Sequence, residues 1–257
     1  MIKILPRPFF IGIDFSINSP GICIIKDSEP FWISRSVNPK SKAEQRFTEQ
    51  LITCKDVDYL NFESSNTEHD NIDSYSNNEY QKIIRYIDRA DFIATSIQDC
   101  LRSLTYIRGV DNLHFAFEGF SYGSNTNNII DIAIATGFLK EKLIQTYDKM
   151  TLDVMAPGTI KKQAGSGRYK KKEMYEVFVE NRHGDPSLVK SEFWTLCQDQ
   201  RGNNKLLKPT DDLIDAYFIA WSLQAKYSER ESLGINQSEK ELSKSSKRSR
   251  GLSRLKV

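Results

Sequence analysis

Four acidic residues stand apart from the solvated background of this chain. Asp14 interrupts the apolar run FFIGIDF, and Glu118 closes the run LHFAFE. Asp212 and Asp215 lie three apart in TDDLIDAYFIAWSL, which reads as a helix, so their side chains share a face. A carboxylate in an apolar strand is costly without a partner. Several carboxylates converging repel one another unless cations lie between them. Mg²⁺ and Mn²⁺ take oxygen ligands, and a pair of such ions can clamp the attacking and leaving oxygens of a phosphodiester. Together the acids point to metal-dependent phosphoryl transfer. Singly, each has a plainer role: Asp14 as a cap of the turn SINSP, Glu118 as an exposed strand end, Asp212 and Asp215 as acids favoured by a helix dipole. Asp211 and Asp215 are also helical neighbours, at a spacing of four, so the spacing leaves Asp211 and Asp212 as alternatives.

A basic segment, KKQAGSGRYKKK, supplies the complementary charge. It holds Lys161, Lys162, Arg168, Lys170, Lys171 and Lys172, with no acid until Glu173. Its glycines permit close approach of the backbone to a phosphate; the plainer reading is a solvated loop. Phe120 and Tyr122 follow Glu118 and could stack on a base, or pack in a core or against a partner. His183 is a candidate proton shuttle, whereas His69 and His114 read as structural or exposed. Lys244, Lys247, Arg248, Arg250, Arg254 and Lys256 make the C-terminal segment either a non-specific DNA arm or a solubilising end.

The elements that must position these residues follow from periodicity. Residues 9–15, 22–25 and 31–37 read as short strands separated by turn signals, a meander. Residues 79–104 carry apolar positions at helical spacing. A strand at 113–117, a helix at 127–147 with small residues Ala133, Ala135 and Gly137 on one face, and a strand at 151–155 follow. Pro157 opens a helical turn, 172–181 looks helical, and 182–208 gives no clear pattern. A helix over 210–227 begins with the cap-forming Thr210 and Asp211. The pattern predicts an α/β fold: a five-stranded mixed sheet with helices on both faces. Residues 1–228 form the expected domain, with a mobile polar insertion at about 38–78, and 229–257 a basic flexible tail.

Composition sets limits on function. The chain has 257 residues, 39% of them hydrophobic and 27% charged, and a net charge of +2, so any nucleic-acid surface must come from local clustering. Cys23, Cys54, Cys100 and Cys197 form no CxxC pair, which argues against a zinc site or a disulfide framework and for a cytoplasmic compartment. The first residues lack a signal-peptide pattern, and no run is long and apolar enough for a membrane span. An actin-like or sugar-kinase ATPase would need a second D-x-G further along, and none is found. The Asn-rich insertion is compatible with a viral or phage origin.

The segments IGIDFSINSPGICII, HFAFEGFSYG and PTDDLIDAYFIA, with the basic G-x-G loop between them, resemble the RuvC-type Holliday junction resolvases of the RNase H-like superfamily. The likeness covers roughly residues 9–37 and 80–228 and includes a glycine seven residues after the first acid, Gly21. It implies an RNase H-like fold and a homodimer that nicks branched DNA, with two Mg²⁺ (or Mn²⁺) per active site held by Asp14, Glu118, Asp212 and Asp215. The family's Asp-x-x-Asp spacing favours Asp212 over Asp211. Lys161, Lys162 and Lys171 or Lys172 match loop lysines that would contact phosphates. Other expectations from the same residues are an RNase H-like nuclease acting on RNA–DNA hybrids, forks or flaps, and a non-catalytic nucleic-acid-binding or assembly protein.

Overall fold

The structure, a computed structural model, describes residues 6–16, 20–35, 41–60, 79–119, 126–200 and 206–232. Three strands open the chain: β1 (Pro8–Asp14), β2 (Gly21–Lys26) and β3 (Glu29–Arg35). They pair antiparallel, as the meander reading predicts. The β2–β3 turn has only two residues, Asp27 and Ser28, both at positive φ (51° and 67°). Such a turn matches the right-handed twist of its flanking strands, and aspartate tolerates the left-handed region better than most residues.

The sheet has six strands, one more than expected. Helix α1 (Lys42–Thr53) and strand β4 (Val57–Leu60) lie within the stretch read as a polar insertion. Phe47 and Leu51, four apart, bury one face of α1. Val57 is buried too, and β4 pairs parallel to β3 at the sheet edge. The Asn- and Ser-rich part of that stretch, residues 61–78, lies outside the described residues, as do 233–257 of the expected tail.

The remaining elements are α2 (Glu79–Ser103), β5 (Asn112–Glu118), α3 (Thr126–Thr146), β6 (Met150–Met155), α4 (Pro157–Ala164), α5 (Lys171–Val179), α6 (Glu192–Gln198) and α7 (Thr210–Ser232). Pro157 does stand in the first turn of α4. On α3, Ala135 is buried, whereas Gly137 is exposed with nothing near it. Strand order is β4-β3-β2-β1-β5-β6, with β5 parallel to β1 and β6 parallel to β5. None of the described helices is long and apolar enough to cross a membrane.

Strand alternation divides the interior into two layers. Phe9, Ile11, Ile13, Phe115 and Phe117 face one layer, covered by α2 and α3. Phe10, Cys23, Ile25 and Ala116 face the other, covered by α7 with α4, α5 and α6. Helix α7 lies almost against the sheet backbone. A Cβ on Gly12 would stand 2.2 Å from the Ala216 carbonyl oxygen and 2.4 Å from Ala220 N. One on Gly21 would stand 2.2 Å from the Asp212 carbonyl oxygen.

No side chain fits at either glycine unless the helix lifts. Gly12→Ala is therefore expected to destabilise the protein by roughly 2–4 kcal/mol, as severe overpacking does. Urea unfolding checks this, and an unchanged midpoint would contradict so close a helix–sheet contact.

Candidate active site

Parity and register bring the first two acids together. Asp14 ends β1 and Glu118 ends β5, one step beyond the paired residues Ile13 and Phe117 of two parallel strands. Both continue the alternation of Phe10 and Ala116, so both belong to the face that carries α7. Asp14 pairs across the hairpin with Gly21, and Gly21 is the residue on which the Asp212 backbone rests. The first turns of α7 are thereby held over the C-terminal ends of β1 and β5. The glycine seven residues after Asp14 is required because the helix leaves no room for a Cβ.

Helix α7 begins at Thr210, with Leu213 N donating to the Pro209 carbonyl at 3.1 Å. Thr210 and Asp211 therefore sit in the first turn and do not precede it, a shift from the expected cap. The Thr210 hydroxyl accepts instead from Gln200 Nε2 at 2.9 Å. Asp212 is buried, and Asp14, Glu118, Asp211 and Asp215 are half-buried.

The electrostatics record the convergence. Burial is the largest cause lifting the Asp14 carboxyl well above the usual range, followed by the charges of Asp215, Glu118 and Asp212. Asp215 is pushed up to about 7, by burial first; Lys171 opposes the shift, and Glu118, Asp211 and Asp212 add to it. Burial raises Glu118 as well, while Lys161 and Lys171 pull it down. Asp211 goes the other way: burial is outweighed by the ammonium groups of Lys171 and Lys208, which hold it below its ordinary value. Lys171 Nζ donates to Asp211 Oδ2 at 2.7 Å. Lys208 Nζ contacts both Asp211 oxygens, at 2.9 and 3.0 Å, and donates to both Asp212 oxygens, at 2.8 and 2.9 Å.

A cleft of about 230 Å³ opens over the strand ends, lined by Asp14, Phe15, Glu118, Ile132, Thr136 and Lys161 among others. Of the basic residues singled out in the sequence, Lys161 and Lys171 reach this site. Lys162, Arg168, Lys170 and Lys172 are exposed on α4, α5 and the loop between them. Gly165 ends α4 at φ 138°, and Gly167 packs against the Gly158 carbonyl, so these glycines shape the loop itself. Phe120 and Tyr122 lie outside the described residues. His183 enters none of the acids' electrostatics. It bonds Tyr217 Oη at 2.7 Å, and Tyr217 donates to the buried Asp185, again at 2.7 Å, on the opposite flank of α7.

Lys208 was not anticipated. Its signal is its place four residues before Asp212, a spacing that lets a lysine reach a first-turn carboxylate. Cys54, Asp56 and Glu192 form a second group, with ligand atoms within 4.8 Å of one another, which could coordinate one metal ion. No trio of the four acids meets that limit among the described residues. Cys54 and Asp56 precede β4 and Glu192 opens α6, at the end of the sheet away from Asp14 and Glu118, and the oxygens of this group are already engaged. Asp56 accepts from Phe193 N at 3.2 Å and Glu192 from Lys55 N at 2.8 Å, which ties the turn before β4 to the start of α6. All four cysteines are buried free thiols, as the sequence suggests.

As a donor set, four carboxylates, three of which (Asp14, Glu118 and Asp215) are lifted above their ordinary range chiefly by burial, fit hard divalent cations. No protein-family model matches the chain, and no curated protein matches it significantly. Among solved structures, the chain is similar to Thermus thermophilus RuvC at 13% identity and a TM-score of 0.40, covering 86% of this chain and 96% of that one. T. thermophilus RuvC in complex with Holliday junction substrate gives 12% identity and a TM-score of 0.39, covering 83% and 90%. The yeast mitochondrial Holliday junction resolvase gives 14% and 0.35, covering 88% and 83%. Likenesses this low carry no argument about the chemistry of this chain.

The carboxylate shifts carry a pH dependence. An acid whose folded pKa lies above its unfolded value keeps its proton longer when folded, so stability falls as pH rises from about 4 through the folded pKa. For Asp215 that window ends near pH 7. His183, held below its ordinary value by burial, acts in the opposite direction, so the comparison must isolate Asp215. In EDTA, Asp215→Asn is expected to melt a few degrees above the unsubstituted protein at pH 8, with a smaller gain at pH 5. Equal gains at both values would refute the shift.

Proposed function

We propose that this protein is a metal-dependent endonuclease of RNase H-like fold that nicks branched DNA, four-way junctions in particular. The observation that carries the reading is the meeting of Asp14 and Glu118, from adjacent parallel strands, with Asp212 and Asp215 from the helix over them. Two divalent ions held by these four carboxylates would supply an activated water and neutralise charge on the scissile phosphate.

The chain's own groups do the rest. The carboxylates stand at the C-terminal ends of two interior strands and on a helix packed over them, so their backbones are positioned before substrate arrives. Lys161, at the cleft wall beside Glu118, is suited to a phosphate oxygen next to the acids. Lys162, Arg168, Lys170 and Lys172 give an exposed cationic track for the flanking backbone. The apolar Phe15 and Ile132 limit water around the strand ends. A homodimer, the arrangement implied by the resemblance of the sequence motifs, would set two such clefts on a two-fold junction.

The test is cleavage of a labelled immobile four-way junction with Mg²⁺ or EDTA, beside linear duplex, forks, flaps and an RNA–DNA hybrid. Paired symmetric nicks that need metal are expected, with Asp14→Asn and Glu118→Gln each costing about 100-fold or more. Cutting confined to the hybrid, forks or flaps would keep the chemistry and change the substrate. Metal-independent cutting, or no cutting of any of these substrates with Mg²⁺, would refute the nuclease reading.

Charge reversal gives a separate check. Replacing Lys162, Arg168, Lys170 and Lys172 together by Glu should weaken junction binding and flatten its salt dependence, measured by fluorescence anisotropy. An unchanged salt slope would remove this segment from the DNA path.

A further inference from the structure

Resting on the proposed metal site, we infer that Lys208 is a built-in competitor for Asp212, and that Asp211 is the acceptor that draws Lys208 away so that a divalent cation can bind. Asp211 is then a positioning residue and not a metal ligand, which resolves the alternative that sequence spacing leaves open.

The geometry of the ion pairs carries this. Both oxygens of Asp212 accept from the Lys208 ammonium, at 2.8 and 2.9 Å. A cation that takes Asp212 must take these oxygens from Lys208. The ammonium does not have to travel to water, because it already contacts Asp211, at 2.9 and 3.0 Å. Moving from a shared position onto Asp211 alone exchanges one charge-assisted bond for another, at little cost. Asp211 also holds Lys171, at 2.7 Å, in a place from which that lysine opposes the raised pKa of Asp14 and Asp215.

The three groups are placed to do this repeatedly. Lys208 lies four residues before Asp212 and three before Asp211, spacings at which a lysine reaches either carboxylate. Its side chain is 42% exposed, so the ammonium has room to shift, whereas the Asp211 and Asp212 side chains are 13% and 9% exposed and stay fixed. The lysine is the moving part, and the acids define its two ends. Competition of this kind sets the cation concentration at which the site loads, and keeps the acids neutralised below it.

The test is Mn²⁺ binding to the full chain by titration calorimetry, with thermal shift as a second readout that needs no turnover. Lys208→Met is expected to bind Mn²⁺ roughly threefold to tenfold more tightly, and Asp211→Asn to bind more weakly by a similar factor. Lys172→Met, which removes an exposed positive charge from the same region, measures the general field effect. Lys208→Met must exceed it. In the double variant the penalty of Asp211→Asn should shrink, because the lysine it restrained is gone. Circular dichroism establishes that each variant is folded. Lys208→Met binding no tighter than Lys172→Met, or additive effects in the double variant, would overturn the inference while leaving the metal site intact. Failure of both the unsubstituted protein and Lys208→Met to bind Mn²⁺ would overturn the metal site and the inference with it.

Discussion

The contact between helix α7 and the hairpin β1–β2 is the constraint from which the rest follows. Because Gly12 and Gly21 lack side chains, the helix backbone rests directly on the sheet, with Ala216 and Ala220 filling what little space is left. A helix held that close cannot slide by a residue without driving a carbonyl into a strand. Its first turns are thereby fixed over the ends of β1 and β5. Tyr217 and Phe218, completely buried, anchor the same helix in the aromatic layer with Trp32, Phe178 and Phe193. The rigidity of a site made of four repelling charges is borrowed from this apolar packing.

The second constraint is electrostatic and opposes the first. Packing brings carboxylates into a half-buried space that lifts the pKa of Asp14, Glu118 and Asp215, and the chain answers with lysines that contact Asp211 and Asp212. Lys171 and Lys208 are engaged by Asp211 and Asp212 directly, whereas the exposed lysines of α4, α5 and their connecting loop contribute only a field. A half-buried acid paired with an ammonium and one paired with a divalent cation satisfy the same requirement, neutralisation at low dielectric.

Several features are legible in the sequence. The meander, the long helix α2, the strands ending in acids and the helix carrying Asp212 and Asp215 all follow from apolar periodicity. That signal persists because each element buries one face. The sixth strand was missed for a physical reason as well. β4 is four residues long at the sheet edge, and of Val57, Asp58 and Tyr59 only Val57 is buried, so an Asn- and Ser-rich neighbourhood hides it. Helix α1 carries its signal in two residues, Phe47 and Leu51. Of residues 182–208, unreadable as a pattern, the described part up to 200 folds through capping contacts such as Asn181 with Asp185 and Ser191 with Trp194, which leave little periodic trace.

The sequence by itself determined which acids are anomalous. A carboxylate inside an apolar run is a cost visible in one dimension, and this picks out Asp14 and Glu118 without a fold. It also determined that Asp212 and Asp215 share a helical face, because 3.6 residues per turn is a local property. Only the tertiary structure decided that these two pairs meet, since strand register and the Gly12 and Gly21 contacts join segments some two hundred residues apart. It alone separated Asp211 from Asp212, by giving one to two lysines and leaving the other shared. It alone brought Lys208 into the site and kept His183 out, because the direction of a side chain depends on what its backbone is packed against.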